Sequence, residues 1–114
     1  MFRLAEQYLI RSEARAQQNN LSGAASDLNT IRARAGLGVT PAATQADLLL
    51  AIEKERWVEL FTEMSDRWFN LKRTGRIDAV LSLTKPQWQS FQALYPIPTT
   101  EITANPKLLQ NPGY

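Results

Sequence analysis

Small and apolar residues recur at alternating intervals of three and four through the first part of the chain. Ala5, Leu9, Ser12 and Ala16 share one stripe of a 3.6-residue period, which predicts a helix from about Phe2 to Gln18 that stops at Asn19-Asn20. No Ser, Thr, Asp or Asn precedes Phe2, so this helix begins without a side-chain cap and reads as one cut from its context. Ser22 is placed to cap a second helix over about Gly23 to Ala35, with Ala24, Leu28, Ile31 and Ala35 as its buried stripe. Gly36 can supply the left-handed residue that ends it, and residues 36–43 form a loop containing Gly38 and Pro41.

Thr44-Gln45-Ala46-Asp47 has the form of a capping box with Asp in place of Glu and opens the longest helix, about Gln45 to Met64. Its apolar arc is wide: Leu49, Ile52 and Leu60 on one side, Trp57, Phe61 and Met64 on the next. A helix apolar over that much of its circumference has neighbours on more than one side. Ser65 or Asp66 can open a fourth helix carrying Trp68, Phe69 and Leu71, which ends in Lys72-Arg73-Thr74-Gly75 as the helix dipole favours. Ile77 to Leu83 suits another short helix. Thr84-Lys85-Pro86-Gln87 has capping-box form, with Pro in the first turn of a piece running through Trp88 and Phe91.

From Leu94 the pattern changes. Tyr95-Pro96-Ile97-Pro98, Asn105-Pro106 and Asn111-Pro112-Gly113 are extended or turn signals. Tyr95, Ile97, Ile102, Leu108 and Leu109 make this stretch too apolar for a disordered tail, so it is expected as an irregular strap whose side chains dock on the helices. The expected fold is therefore all-α, a single domain over 1–114, helical over 1–92 with an extended Pro-rich strap over 93–114. Two successive helix pairs suggest an alpha-alpha superhelix of tetratricopeptide-like units. Asn19, Leu21, Ala24, Leu28 and Ile31 fall where such a unit places its turn and packing positions, with Tyr8 and Ser12 a looser match in the first helix. Repeats bury their faces against neighbouring repeats, and about two units leave faces open.

Charge adds a block pattern. Residues 1–44 carry five basic and three acidic groups, residues 45–66 two and six, and residues 67–114 six and two, for a net charge of +2. Alternating blocks favour pairing within the fold over a continuous basic face for nucleic acid. The absence of Cys and His excludes Cys/His zinc sites, disulfides, thiol nucleophiles and Ser-His-Asp triads within these residues. No cofactor motif is present, and no stretch is long and apolar enough to span a bilayer or act as a signal peptide.

Glu55, Glu59 and Glu63 share one ridge of the third helix, which invites comparison with a glycosidase acid/base pair. Side chains on one helical face point the same way instead of flanking a substrate. Arg56 lies three residues from Glu59, and Glu63 four before Arg67, so structural ion pairs are the better reading. The expected cluster is Glu55, Arg56 and Glu59 with Arg32, Arg34 and Arg67. Arg67, Lys72, Arg73 and Arg76 around Trp68 and Phe69 have the composition of a nucleic-acid patch, but helical spacing assigns the aromatics to the core and the cations to solvent or a helix end. Trp57, Trp68 and Trp88 are the residues most able to stack on a sugar ring. Trp88, in a short piece between loops, is the one expected to be exposed.

Several segments in order resemble one family. Arg3-Leu4-Ala5-Glu6-Gln7-Tyr8-Leu9-Ile10-Arg11-Ser12-Glu13-Ala14 and Leu28-Asn29-Thr30-Ile31-Arg32-Ala33-Arg34-Ala35-Gly36-Leu37 form the first pair. Glu55-Arg56-Trp57-Val58-Glu59-Leu60 leads into Asp66-Arg67-Trp68-Phe69-Asn70-Leu71-Lys72-Arg73, and the end carries Tyr95-Pro96-Ile97-Pro98 and Gln110-Asn111-Pro112-Gly113-Tyr114. Together they resemble the C-terminal region of SusD/RagB-like proteins, the surface nutrient-binding lipoproteins of the Bacteroidetes outer membrane. Met64-Ser65 stands where Gly and a basic or polar residue are common, and Asn70 where Asp is usual. The resemblance implies a non-enzymatic protein at the cell outer membrane, anchored by a lipid on an N-terminal Cys upstream of this chain. It also implies an oligosaccharide ligand and a SusC-like TonB-dependent transporter as partners. It transfers no glycan-binding residue, since the family's sugar contacts lie largely upstream. The alternative is a tetratricopeptide-type adaptor for peptides, which should show a capped first helix and a polar terminal helix.

Overall fold

The computed structural model describes residues 3–63 and 65–114, so the expected helix start at Phe2 and helix end at Met64 lie outside the described residues. The described residues are all-α, with six α-helices, one 3-10 helix and no strand. The chain divides into two compact units, residues 1–67 and 68–114.

In the first unit α1 (Leu4–Gln17) and α2 (Leu21–Arg34) form a tetratricopeptide-like antiparallel pair. Their register is read from the contacts: Arg11 meets Asp27, Ser12 meets Ala24 and Arg15 meets Gly23. Ala5, Leu9, Ser12 and Ala16 are the buried face of α1, and the small members let α2 approach closely enough for the Ser12 hydroxyl to donate to the Ala24 carbonyl at 2.7 Å. The turn between them is made by two asparagines. Asn19 takes a left-handed φ of 60°, and Asn20 caps α2 by accepting the Gly23 amide at 3.0 Å. The cap is thus Asn20 and not Ser22, which lies inside the helix. Gly23 leaves no room for a Cβ against the Asn20 side chain, so its lack of one permits the cap. Ala35, expected in the buried stripe, is the exposed C-cap residue, and Gly36 beyond it has a φ of 73°.

Residues 35–44 run back along α2, held where Arg32 Nε donates to the Gly38 carbonyl at 2.9 Å and Asn29 accepts the Thr40 amide at 2.8 Å. As a result α3 (Gln45–Glu59) starts beside the C-terminal end of α1, where Gln45 Nε2 donates to the Ala16 carbonyl at 2.8 Å. Thr44 caps it by accepting the Asp47 amide at 3.1 Å. Leu48 and Ile52 join Leu9, Leu28 and Ile31 in one core. The helix ends earlier than its apolar pattern suggested. Trp57, Val58, Phe61 and Thr62 are poor helix formers in close succession, and Thr62 adopts a φ of 62° in the turn that follows.

Opposite the core, α3 is open. Leu50, Trp57 and Val58 lie on one exposed stripe, continued by Phe61 just past the helix end. Trp57 is 42% exposed and Phe61 64%, so the wide apolar arc is buried on one side only.

The second unit contains most of α4 (Asp66–Arg73), then α5 (Ile77–Thr84), the 3-10 helix Ser90–Ala93 and α6 (Thr99–Ala104). Leu71, Ile77 and Leu81 are its core, with Trp68 and Trp88 packed against them. Gly75, with a φ of 68°, turns the chain at the end of α4 as the Arg76 amide returns to the Leu71 carbonyl at 2.9 Å. The expected box at Thr84–Gln87 does not start the next helical piece. Five residues after Thr84 the Gln89 amide donates to the Gln92 side chain at 2.8 Å, and the 3-10 turn begins there.

The tail is a strap, but it includes α6 and is closed on itself. The Gln110 side chain accepts the Ile97 amide at 2.7 Å and donates to the Ile97 carbonyl at 2.9 Å; Asn111 Nδ2 donates to the Tyr95 carbonyl at 2.6 Å. Of the apolar residues expected to dock on helices, Ile97 and Ile102 are half-buried, whereas Tyr95, Leu108 and Leu109 are exposed, so these polar bonds add to a limited apolar burial in holding the strap.

Candidate functional site

Two groups of side chains stand out, one in each unit. In residues 1–67 the carboxylate ridge of α3 is neutralised pair by pair. Glu55 meets Arg32 Nη1 at 3.1 Å, Arg34 Nη2 reaches both oxygens of Glu59, and Glu63 meets Arg3 Nη2 at 2.7 Å. Arg32 and Arg34 therefore join α2 to α3, and Arg3 reaches the turn after α3 from the start of α1. Arg56 is buried and takes partners other than Glu59. Its guanidinium grips Asp66 Oδ1 at 2.6 Å and Glu6 Oε1 at 3.2 Å, tying α1, α3 and the first residue of α4 together. Among the described residues Arg67 has no carboxylate partner. Its guanidinium lies 4.0 Å from the centroid of the exposed Trp57 ring.

A further ion cluster between α1 and α2 escaped sequence reasoning. Asp27 is 3% exposed and accepts from Arg11 Nε at 2.8 Å, Arg11 Nη2 at 2.7 Å and Arg15 Nη1 at 2.8 Å. The Arg11 hydrogen bonds hold its carboxyl below the usual range, desolvation opposes them, and the nearby Arg charges reinforce the lowering. The signal was present as Arg at positions 11 and 15, four residues apart on a helix facing an acidic residue across a short turn.

The second group is a cleft of about 720 Å3 held within residues 68–114. Its walls include three neighbouring rings. Trp88 meets Trp68 edge-on, centroids 6.1 Å apart and planes at 79°, and Tyr95 lies 5.7 Å from Trp68 with planes at 40°. The Trp88 indole N–H donates to Asp78 Oδ1 at 2.7 Å. Tyr114, at the far side, donates its hydroxyl to the Leu94 carbonyl at 2.8 Å and packs edge-on against Phe91. Lys85 and Gln87 supply polar groups at the rim. Trp88 is half-buried and Trp57 is the more open tryptophan, the reverse of the sequence expectation: Trp88 is drawn in by Asp78 and the α5 core, whereas Trp57 carries the Arg67 guanidinium over its ring.

Chemically, the first group is a set of satisfied charges, and the second a concave surface of mixed polar and apolar groups beside three neighbouring rings. Among the described residues no His, Cys, Asp or Glu group is arranged to hold a metal ion, and no helix is long and apolar enough to cross a membrane.

All-α described residues with a tetratricopeptide-like pair define a fold of helical-repeat class. The whole chain, residues 1–114, matches the SusD family, and the chain belongs to that family. It is similar to a SusD-like protein from Bacteroides fragilis whose crystal structure is known, at 29% sequence identity and a TM-score of 0.77. That similarity covers 96% of this chain and 25% of the Bacteroides protein, so the chain spans about a quarter of its solved relative. No curated protein sequence matches it.

Proposed function

We propose that this chain is the C-terminal helical portion of a longer SusD-family protein that captures oligosaccharides at the bacterial outer membrane. In this reading it passes them to a SusC-like TonB-dependent transporter, and a lipid on an N-terminal Cys upstream of these residues anchors the protein to the cell surface. The observation that carries the reading is the family match over every residue, together with the quarter-length span of the solved relative. The open stripe Leu50, Trp57, Val58 and Phe61 supports it, since contiguous exposed apolar surface marks a face that a further layer covers. The role of the chain is then to support the ligand-binding part. The Glu55, Arg56, Glu59, Arg32 and Arg34 network sets the angle of α3 against α1 and α2, and Arg67 shields Trp57. These carboxylates serve as structural partners and not as acid and base, because each is held by a guanidinium.

The test is a glycan array probed with the complete gene product. Retention of an oligosaccharide that is recovered uncleaved is the expected result. Binding to no glycan would refute the reading, and cleaved product would replace it with a hydrolase.

A further inference from the structure

The cleft in residues 68–114 carries an unbalanced charge that a scaffold role leaves unused. This stretch holds five basic side chains and two acidic ones, and no acidic side chain lines the cleft. Asp78 is engaged by the Trp88 indole. Lys85 lies on the rim and Lys72 Nζ stands 5.7 Å from the Trp68 centroid; among the described residues neither has a carboxylate partner. Two uncompensated ammonium groups at one cleft favour an anion and oppose a cationic guest.

The rings add the second requirement. Trp88 and Tyr95 stand at 79° and 40° to Trp68, inclined packing in which the electron-poor edge of one ring meets the electron-rich face of another. A further aromatic ring extends that arrangement, and Tyr95, 72% exposed, offers an open face to it. An anionic substituent on such a ring is repelled by the same electron-rich faces, so it turns toward the Lys85 rim. The walls are already held: Trp88 by Asp78, Tyr114 by the Leu94 carbonyl, Trp68 by the Leu71–Ile77–Leu81 core. Binding therefore orders few wall side chains. The volume of about 720 Å3 falls in the range of small-ligand sites, roughly 300–1,000 Å3.

We propose that the cleft walled by Trp68, Trp88 and Tyr95 binds small aromatic carboxylates, the ligand ring packed edge-to-face among these side chains and its carboxylate paired with Lys85. This activity goes beyond the glycan-capturing reading and does not depend on it.

Calorimetric titration of this chain with benzoate, 4-hydroxybenzoate and indole-3-acetate, each beside its primary amide, tests it. At least one carboxylate should bind at millimolar concentration, about fivefold more tightly than its amide. Lys85→Gln should bring that carboxylate down to the affinity of the amide. Tyr95→Ala should weaken the carboxylate about threefold to tenfold, the worth of one aromatic contact. Both variants change exposed side chains, and an unchanged far-UV CD spectrum checks that the fold is kept. Acetate at equal concentration should not displace the ligand, and Trp57→Ala, in the other unit, should leave affinity unchanged. Failure of all three carboxylates to bind, equal affinity for acid and amide, full affinity in Lys85→Gln or Tyr95→Ala, displacement by acetate, or loss of binding in Trp57→Ala each overturns the proposal.

Discussion

Replacing Asp27 by Asn is the sharpest probe of how α1 and α2 are joined. The substitution keeps the volume of the side chain and removes its charge. Three charge-assisted hydrogen bonds end on the native carboxylate, from Arg11 Nε, Arg11 Nη2 and Arg15 Nη1. Hydrogen bonds to charged groups contribute roughly 1.5–3 kcal/mol each, but those sharing one acceptor do not add. The Arg11 side chain is 54% exposed, so water takes up its donors once the carboxylate is gone. We expect a net loss of about 2–3 kcal/mol, which corresponds to a fall in Tm on the order of 10–20 °C. Urea unfolding followed by far-UV CD at neutral pH measures it. The same variant carries a pH signature. Because the folded Asp27 carboxyl titrates below its unfolded value, the native state binds fewer protons, and its stabilisation is full above the unfolded carboxylate pKa of about 3.9. It is lost as pH falls from there through the lowered folded value. The wild-type chain should therefore lose stability more steeply than Asp27→Asn below about pH 4. With no histidine side chain to titrate, both should be nearly flat between pH 6 and 8. A variant within about 0.5 kcal/mol of wild type, with an unchanged acid limb, would refute the clasp.

Three further substitutions separate the kinds of contact. Leu9→Ala opens a cavity at a fully buried core position and should cost about 2–5 kcal/mol in the same urea titration. Glu59→Ala breaks the pair with the exposed Arg34 and should cost about 1 kcal/mol or less; a larger loss would mean the ridge carries more than a surface ion pair. Gly113 has a φ of 96° and a Cβ there would run into the Phe91 ring, so Gly113→Ala should loosen the strap end. Amide exchange at Tyr114, whose N–H donates to the Asn111 carbonyl, should rise while exchange at Leu9 stays unchanged.

Much of the first unit was legible because helical period and burial coincide there. Ala5, Leu9, Ser12 and Ala16 are small or apolar at the right spacing, and all four are buried. Asp27 was not legible, since a charged residue on a helix ordinarily faces water and only the facing pair Arg11 and Arg15 makes its burial favourable. The end of α3 was missed for the opposite reason. Trp57 and Phe61 are apolar and helically spaced, but that pattern cannot distinguish a face covered within the chain from one left open. Trp57 and Trp88 exchanged places because the Asp78 acceptor that draws Trp88 inward lies ten residues away, beyond the reach of local pattern. The strap is held by Gln110, Asn111 and Tyr114 bonding backbone groups up to twenty residues away, contacts that leave no periodic trace. The cleft depends on those same contacts; Trp68 and Trp88 could be named from sequence, but Tyr95, Tyr114 and the arrangement of the rings could not.

Hydroxyl-radical footprinting read by mass spectrometry, comparing this chain alone with the complete gene product, addresses the scaffold role most directly. Leu50, Trp57, Val58 and Phe61 should be oxidised in the isolated chain and protected in the complete protein, while the buried Leu9 and Leu28 stay protected in both. Equal oxidation of the four residues in the two samples would show that nothing covers this face, and would contradict a supporting role for these helices in a larger fold.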